Sequence, residues 1–213
     1  MESVYIALIG DIIKSRSINN RNEIQLILEN ILAGVNAEYE QFIAAKFLVT
    51  IGDEFQGLLK PSAPVYEIVG YIVESLFPIQ IRFGIGLGVI TTPIKDIALG
   101  MDGPAFYFAR ESLKIAHERN GHAIVFKSEK LGNVSEDAIN MMLGSLAVIR
   151  KLWSESFREI LSYLRSGKNQ KEIADLLQVT QPYISKLIKN AYWKEVEALE
   201  GQLERLLRTY LVE

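Results

Sequence analysis

Apolar residues occupy both alternating faces of SVYIALIG (3–10), the pattern of a central strand in a covered sheet. From about residue 21 to 42 the period becomes helical. Ile24, Ile27, Leu28, Ile31 and Val35 recur at helix spacing, with Glu23, Gln25 and Glu29 on the other side. AKFLVTIGDEFQGLLK (45–60) reads as a hairpin, PVYEIVGYIVESLF (64–77) as a second helix and IQIRFGIGLGVI (79–90) as an alternating strand. After a turn-rich piece, GPAFYFARESLKIAHERN (103–120) reads as a third helix. Gly121 ends it and HAIVFKS (122–128) follows as a last strand. Residues 129–153 read as a helix leading out of this domain. From Glu155 the pattern is wholly helical, with Phe157, Ile160, Leu161 and Leu164 at i, i+3, i+4 and i+7.

The order strand, helix, strand, strand, helix, strand predicts an α+β fold of the ferredoxin-like βαββαβ class. In it the first strand and the hairpin strands neighbour one another in an antiparallel sheet, with helices on one face. The predicted division is a domain over 1–130, a linking helix over 131–153 and an all-α tail over 154–213.

Composition narrows the picture. The chain has 213 residues, 49% hydrophobic and 23% charged, enough to bury a core without staples. It has no cysteine, which removes disulfides, thiol nucleophiles and thiolate metal sites and suits a reducing cytoplasm. The two histidines, His117 and His122, are too few for a histidine-rich zinc centre; they flank a turn and read as surface residues. The N-terminus has no basic leader, and no apolar run is long enough to cross a bilayer, so no membrane association is expected. A net charge of −3 argues against a nucleic-acid coat over the whole protein. Residues 154–194, however, hold seven basic and four acidic groups, a local excess of +3.

Candidate chemistry gathers at three carboxylates. Asp11 directly follows the first strand, and Asp53 and Glu54 sit at the hairpin tip. Gly52 permits positive φ, so Gly52-Asp53 suits a two-residue turn with glycine first. Pairing of the first strand with the hairpin would bring these carboxylates near one another. One would then protonate, or a divalent cation would hold them ionised. Oxygen ligands point to Mg²⁺ or Mn²⁺. The plain alternative is that Gly-Asp is turn chemistry and that Asp11 caps the piece after it. Lys14 and Arg16 lie close behind Asp11, within reach of a phosphate or simply solvated. Gly84, Gly86 and Gly88 leave one strand face bare, so that a helix or a ligand can approach closely; the spacing is not a dinucleotide fingerprint. Gly103-Pro104 opens a helix whose N–H groups could meet a phosphate or water.

The tail segment QKEIADLLQVTQPYISKLIK (170–189) has a helix-turn-helix pattern. Ile173, Leu177 and Val179 are expected to pack inward, Ala174 is small where the helices cross, and Ile184 and Leu187 form the apolar face of the second helix. Thr180 suits the N-cap and Pro182 the first turn. Gln181, Tyr183, Ser185, Lys186 and Lys189 are left exposed to contact base edges and phosphates of DNA in a major groove. Gln178 stands where such turns commonly carry glycine. In the final helix (193–212), Val196, Leu199, Leu203, Leu206 and Tyr210 follow a near-heptad spacing. They either pair with a second chain, giving a homodimer, or fold back on the first domain.

IGDII, VTIGDEFQGLL, IRFGIGLGVIT and DGPAFYFARESL come in the order seen in class III nucleotide cyclases, which they resemble. The GDEF string resembles the tip of the GGDEF diguanylate cyclases, which share that palm-type fold. MESVYIALIGDIIKSR, TIGDEFQGLL, IRFGIGLG and DGPAFYFAR, joined to a helical tail, together resemble the SatD family over nearly the whole chain. The cyclase resemblance implies that Asp11 and Asp53 hold two metal ions over a nucleoside triphosphate, with Glu54 at the glutamate position of GGDEF. It further implies Ile12, Lys14, Gly52, Gly103 and Arg110 around the nucleotide and its phosphates. The sequence departs from that pattern. The base-selecting lysine position holds Val49, the asparagine position Tyr107 and the transition-state arginine position Glu111, with Arg110 one place early. The first glycine of GGDEF is Ile51. Loss of such groups costs orders of magnitude in rate. The expectation is therefore a DNA-binding regulator whose cyclase-like domain binds a divalent metal and a nucleotide or other phosphorylated ligand. The alternatives are an active cyclase or nucleotidyltransferase on Asp11 and Asp53, with Arg110, Lys14 or Arg82 replacing the lost groups, and a scaffold whose tail docks a protein.

Overall fold

A computed structural model of the chain describes residues 3–15, 20–118, 124–129 and 131–212. Arg16, Gly121 and His122 fall outside the described residues, as does the side chain of Tyr210. The fold is mixed α+β. Its elements are β1 (Val4–Ile12), α1 (Arg21–Glu38), β2 (Ile43–Val49), β3 (Phe55–Leu59), α2 (Val65–Leu76), β4 (Ile81–Val89), α3 (Pro104–Glu118) and β5 (Ile124–Ser128). Then follow α4 (Asn133–Lys151), α5 (Glu155–Arg165), α6 (Gln170–Leu177), α7 (Gln181–Asn190) and α8 (Trp193–Val212). The chain divides into two compact units, one of Met1–Gly144 with Leu203–Glu213, the other of Ser145–Gln202.

In the first unit the strands form one sheet in the order β2-β3-β1-β4-β5. β1 lies at its centre, antiparallel to β3 on one side and to β4 on the other, while β5 adds parallel to β4. Each outer strand is closed by an asparagine side chain that imitates a further strand. Asn36 of α1 accepts from the Phe47 N–H at 2.8 Å and donates to its carbonyl at 2.9 Å. Asn140 of α4 makes the same pair with Phe126, at 2.8 and 2.9 Å. Both satisfy edge groups that would otherwise invite another chain.

Helices cover both faces of this sheet, not the single face expected. Ile6 and Leu8 point one way and Ala7 and Ile9 the other, and all four are fully buried, so each face needs a cover. α3 packs on the face of Ala7 and Ile9 through Ala105, Phe106, Ala109 and Leu113. On the other face Ile12 lines a cleft together with Ile24 and Leu28 of α1. A Cβ at Gly84, Gly86 or Gly88 would collide with the α3 backbone, which identifies the use of the bare stripe: a helix lies directly on it. Of the consecutive aromatics, Phe106 is buried and Tyr107 points outward, its hydroxyl donating to Asp102 at 2.7 Å.

The last stretch of α8 folds within the first unit. Leu203 and Leu207 are buried, and Glu204 accepts from the Tyr66 N–H at 3.0 Å in the first turn of α2. Of the two uses expected for the final helix, folding back is the one observed.

The second unit is helical around Trp153, Phe157 and Trp193, whose rings meet edge-on or tilted at 4.9–6.1 Å between centroids. Ile160, Leu161, Ile173, Ile184, Ile188 and Val196 complete its core. Arg150 and Arg165 both bind the buried Glu200, at 2.6 and 2.7 Å.

Candidate functional site

The end of β1 and the β2–β3 tip are neighbours, because Gly10 pairs with Phe55 at the foot of the hairpin. The tip closes as expected: the Glu54 N–H donates to the Ile51 carbonyl at 3.1 Å, and Gly52 takes φ +67. Thr50 donates through its backbone and its hydroxyl to the Glu54 carbonyl, at 2.8 and 3.1 Å, which holds Glu54 within the turn.

Asp11 is engaged differently from the expectation. Arg82 lies directly across from it on β4 and donates Nε to Oδ1 at 3.1 Å. His117, in the last turn of α3, meets Oδ2 at 2.8 Å. His117 is thus half-exposed, as a surface histidine would be, yet tied to a carboxylate. Burial raises the Asp11 pKa above the ordinary carboxylate value; Arg82 and His117 oppose this, and the charge of Asp53 adds to it. Both oxygens of Asp11 are thus bound to basic groups, and a guanidinium at this distance repels a divalent cation. Among the described residues, no three or more histidine, aspartate or glutamate side chains are grouped to hold a metal.

On the opposite face of the sheet, a cleft of about 170 Å³ opens between the end of β1, the hairpin tip and the start of α1. Ile12, Gly52 and Asp53 line it, together with Ser15, Arg21, Asn22 and Gln25, which sequence reasoning had not singled out. The volume suits a phosphate-sized group more than a whole nucleotide, since small-molecule sites run to about 300–1,000 Å³. Lys14 is exposed in the turn after β1, at φ 58. Gly103 is not part of this region. It packs against Val89 and Thr91, and Val89 pairs with Val4, so it lies at the other end of β1. That is roughly 23 Å from Asp11 at about 3.3 Å per residue. Arg110 is exposed partway along α3. The positions where the cyclase resemblance places asparagine and arginine are committed elsewhere: Tyr107 to Asp102, and Glu111 to Lys127.

In the second unit, α6 and α7 join through Gln178, which adopts the left-handed conformation at φ 55 that its position in the turn demands. Asn169 caps α6 by accepting from Lys171 and Glu172, and Glu172 returns a bond to the Asn169 N–H. Ile173 and Ala174 are buried as expected and Leu177 half-buried, but Val179 is exposed, because it follows the left-handed residue and turns away from the crossing. Ile184 and Ile188 carry the inner face of α7, with Leu187 half-buried beside them. Thr180 has N-cap backbone geometry without a side-chain bond. Gln181, Tyr183, Ser185, Lys186 and Lys189 are all exposed.

Among solved structures, the chain is similar to a bacterial light-regulated adenylyl cyclase at 15% identity and TM-score 0.46, covering 59% of this chain and 76% of that one. It is likewise similar to the guanylyl cyclase Cya2 at 14% identity and TM-score 0.42, covering 59% and 77%. A search of curated proteins finds no match. The SatD family model matches residues 5–196, nearly the whole length over which the sequence motifs and the two units extend, and the chain belongs to the SatD family.

Proposed function

We propose that this protein is a DNA-binding regulator that contacts the major groove through α7. The observation that carries this reading is the exposed polar face of α7, set on a capped α6 by a turn residue in the left-handed conformation. The basic excess of this segment supports it. Arg158 and Arg165 are turned to internal acceptors, which leaves Lys168, Lys171, Lys186, Lys189 and Lys194 exposed. A single such unit binds weakly, so useful affinity calls for a dimer. The apolar residues Leu203 and Leu207 of α8 are buried within the chain and do not supply its seam.

The test is fluorescence anisotropy of the full chain on a pool of random duplexes across a salt series. Lys186→Ala/Lys189→Ala is expected to lower the slope of log K against log salt by roughly 1.8, at about 0.9 per phosphate contact. Absence of binding, or binding indifferent to this pair, would remove the reading.

The first unit, in this proposal, is a ferredoxin-like palm, a reading supported by the β4-β1-β3-β2 order with antiparallel pairing throughout. Its cleft takes the phosphate of a nucleotide or other phosphorylated ligand, with Arg21 as the cation. Thermal melting with ATP, GTP, CTP, UTP or inorganic phosphate checks this. Saturation at about 100 times Kd adds roughly 2.7 kcal/mol, and Arg21→Ala should lose the shift. Cyclisation has less support, because Tyr107 and Glu111 are already bonded within the unit.

A further inference from the structure

Register and packing together enclose Asp11. The β1–β4 ladder sets Arg82 across from it as an opposite-charge pair. The glycine stripe lets the α3 backbone settle on β4, and this brings His117 down to the same carboxylate. The third side of the cluster closes between the two basic groups, with Arg82 Nη1 at 2.6 Å from His117 Nδ1. A guanidinium has only donors, so Nδ1 is the acceptor and the ring proton sits on Nε2, facing Asp11. Each of the three side chains is thereby bonded to the other two.

We propose that Asp11 is not a divalent-metal ligand in this chain: Arg82 and His117 stand in the place of the cation, and the closed cluster fastens the last turn of α3 to the sheet. This departs from the role that the cyclase resemblance implies for Asp11. It is independent of the DNA reading, and either can fail without the other.

The test is the imidazole ¹⁵N–¹H spectrum of the full-length protein at mildly alkaline pH, titrated with MgCl₂ to millimolar excess. With two histidines in the chain, a His122→Gln variant assigns His117. The expected result is an Nε2–H tautomer for His117 whose ring signals do not move with Mg²⁺, and which do move in Asp11→Asn without metal. Mg²⁺-dependent displacement of the His117 signals in the wild type would overturn the proposal. A Mn²⁺ titration followed by electron paramagnetic resonance gives a second readout. Equal binding by wild type and Asp11→Asn is expected, and one ion held by the wild type but lost in Asp11→Asn would overturn it. Should Asp11→Asn fail to fold, the Mg²⁺ titration of the wild-type spectrum decides alone.

Discussion

Asp11 and Glu200 are both carboxylates set between two basic side chains, one in each unit, and their pKa values move in opposite directions. Burial pushes both upward. At Glu200 two guanidiniums, Arg165 and Arg150, outweigh burial and hold the carboxylate below its ordinary value. At Asp11 only one of the two partners is a guanidinium, and Asp53 adds a like charge, so burial prevails over Arg82 and His117. The number of partners is the same; what differs is how much fixed positive charge faces the carboxylate.

The largest expected effect separates these two sites. Glu200→Gln leaves two arginines without their counter-charge and should cost about 3–5 kcal/mol, read as a fall in the urea midpoint. The pH dependence carries the sign of the shift. Because Glu200 is depressed on folding, its contribution is present above its unfolded value near 4.5 and is lost as pH falls through the folded value. Acid should therefore weaken the wild type more than Glu200→Gln, and parallel acid profiles would break the comparison.

Gly84→Ala comes next. A methyl there meets the Ala109 carbonyl and the Leu113 N–H, so α3 must lift from the sheet. The expected cost is about 3 kcal/mol, the upper part of the overpacking range, together with a changed His117 ring signal as the helix end leaves Asp11. An unchanged His117 signal would show that the cluster does not depend on the seam.

Asp11→Asn should be the mildest of the three at neutral pH, because burial works against the ionised carboxylate and asparagine removes that charge. A loss as large as that for Glu200→Gln, measured by the same urea titration, would place the two clusters in one class.

Local patterns carried much of the fold into view. The five strands, the glycine-first turn at Gly52, the buried Ile173 and Ile184, and the exposed face of α7 all follow from spacing over a few residues, where backbone geometry ties sequence to direction. Gln178 is a middle case: its position in the turn was legible, while its left-handed φ needed the structure.

What the sequence determined by itself is therefore the set of elements and, for most of them, which side is apolar; in α1 the expected inward Ile27 is exposed and Leu32 is buried instead. Only the tertiary structure decided the partners. Asp11 meets residues 71 and 106 positions away, and Arg150 and Glu200 are 50 apart. It also decided that α3 crosses to the second face of the sheet, and that Gly103 lies at the far end of β1 from Asp11. The physical reason is that strand register and helix approach are set by many weak packing contacts between distant segments, and the spacing within any one segment carries none of them.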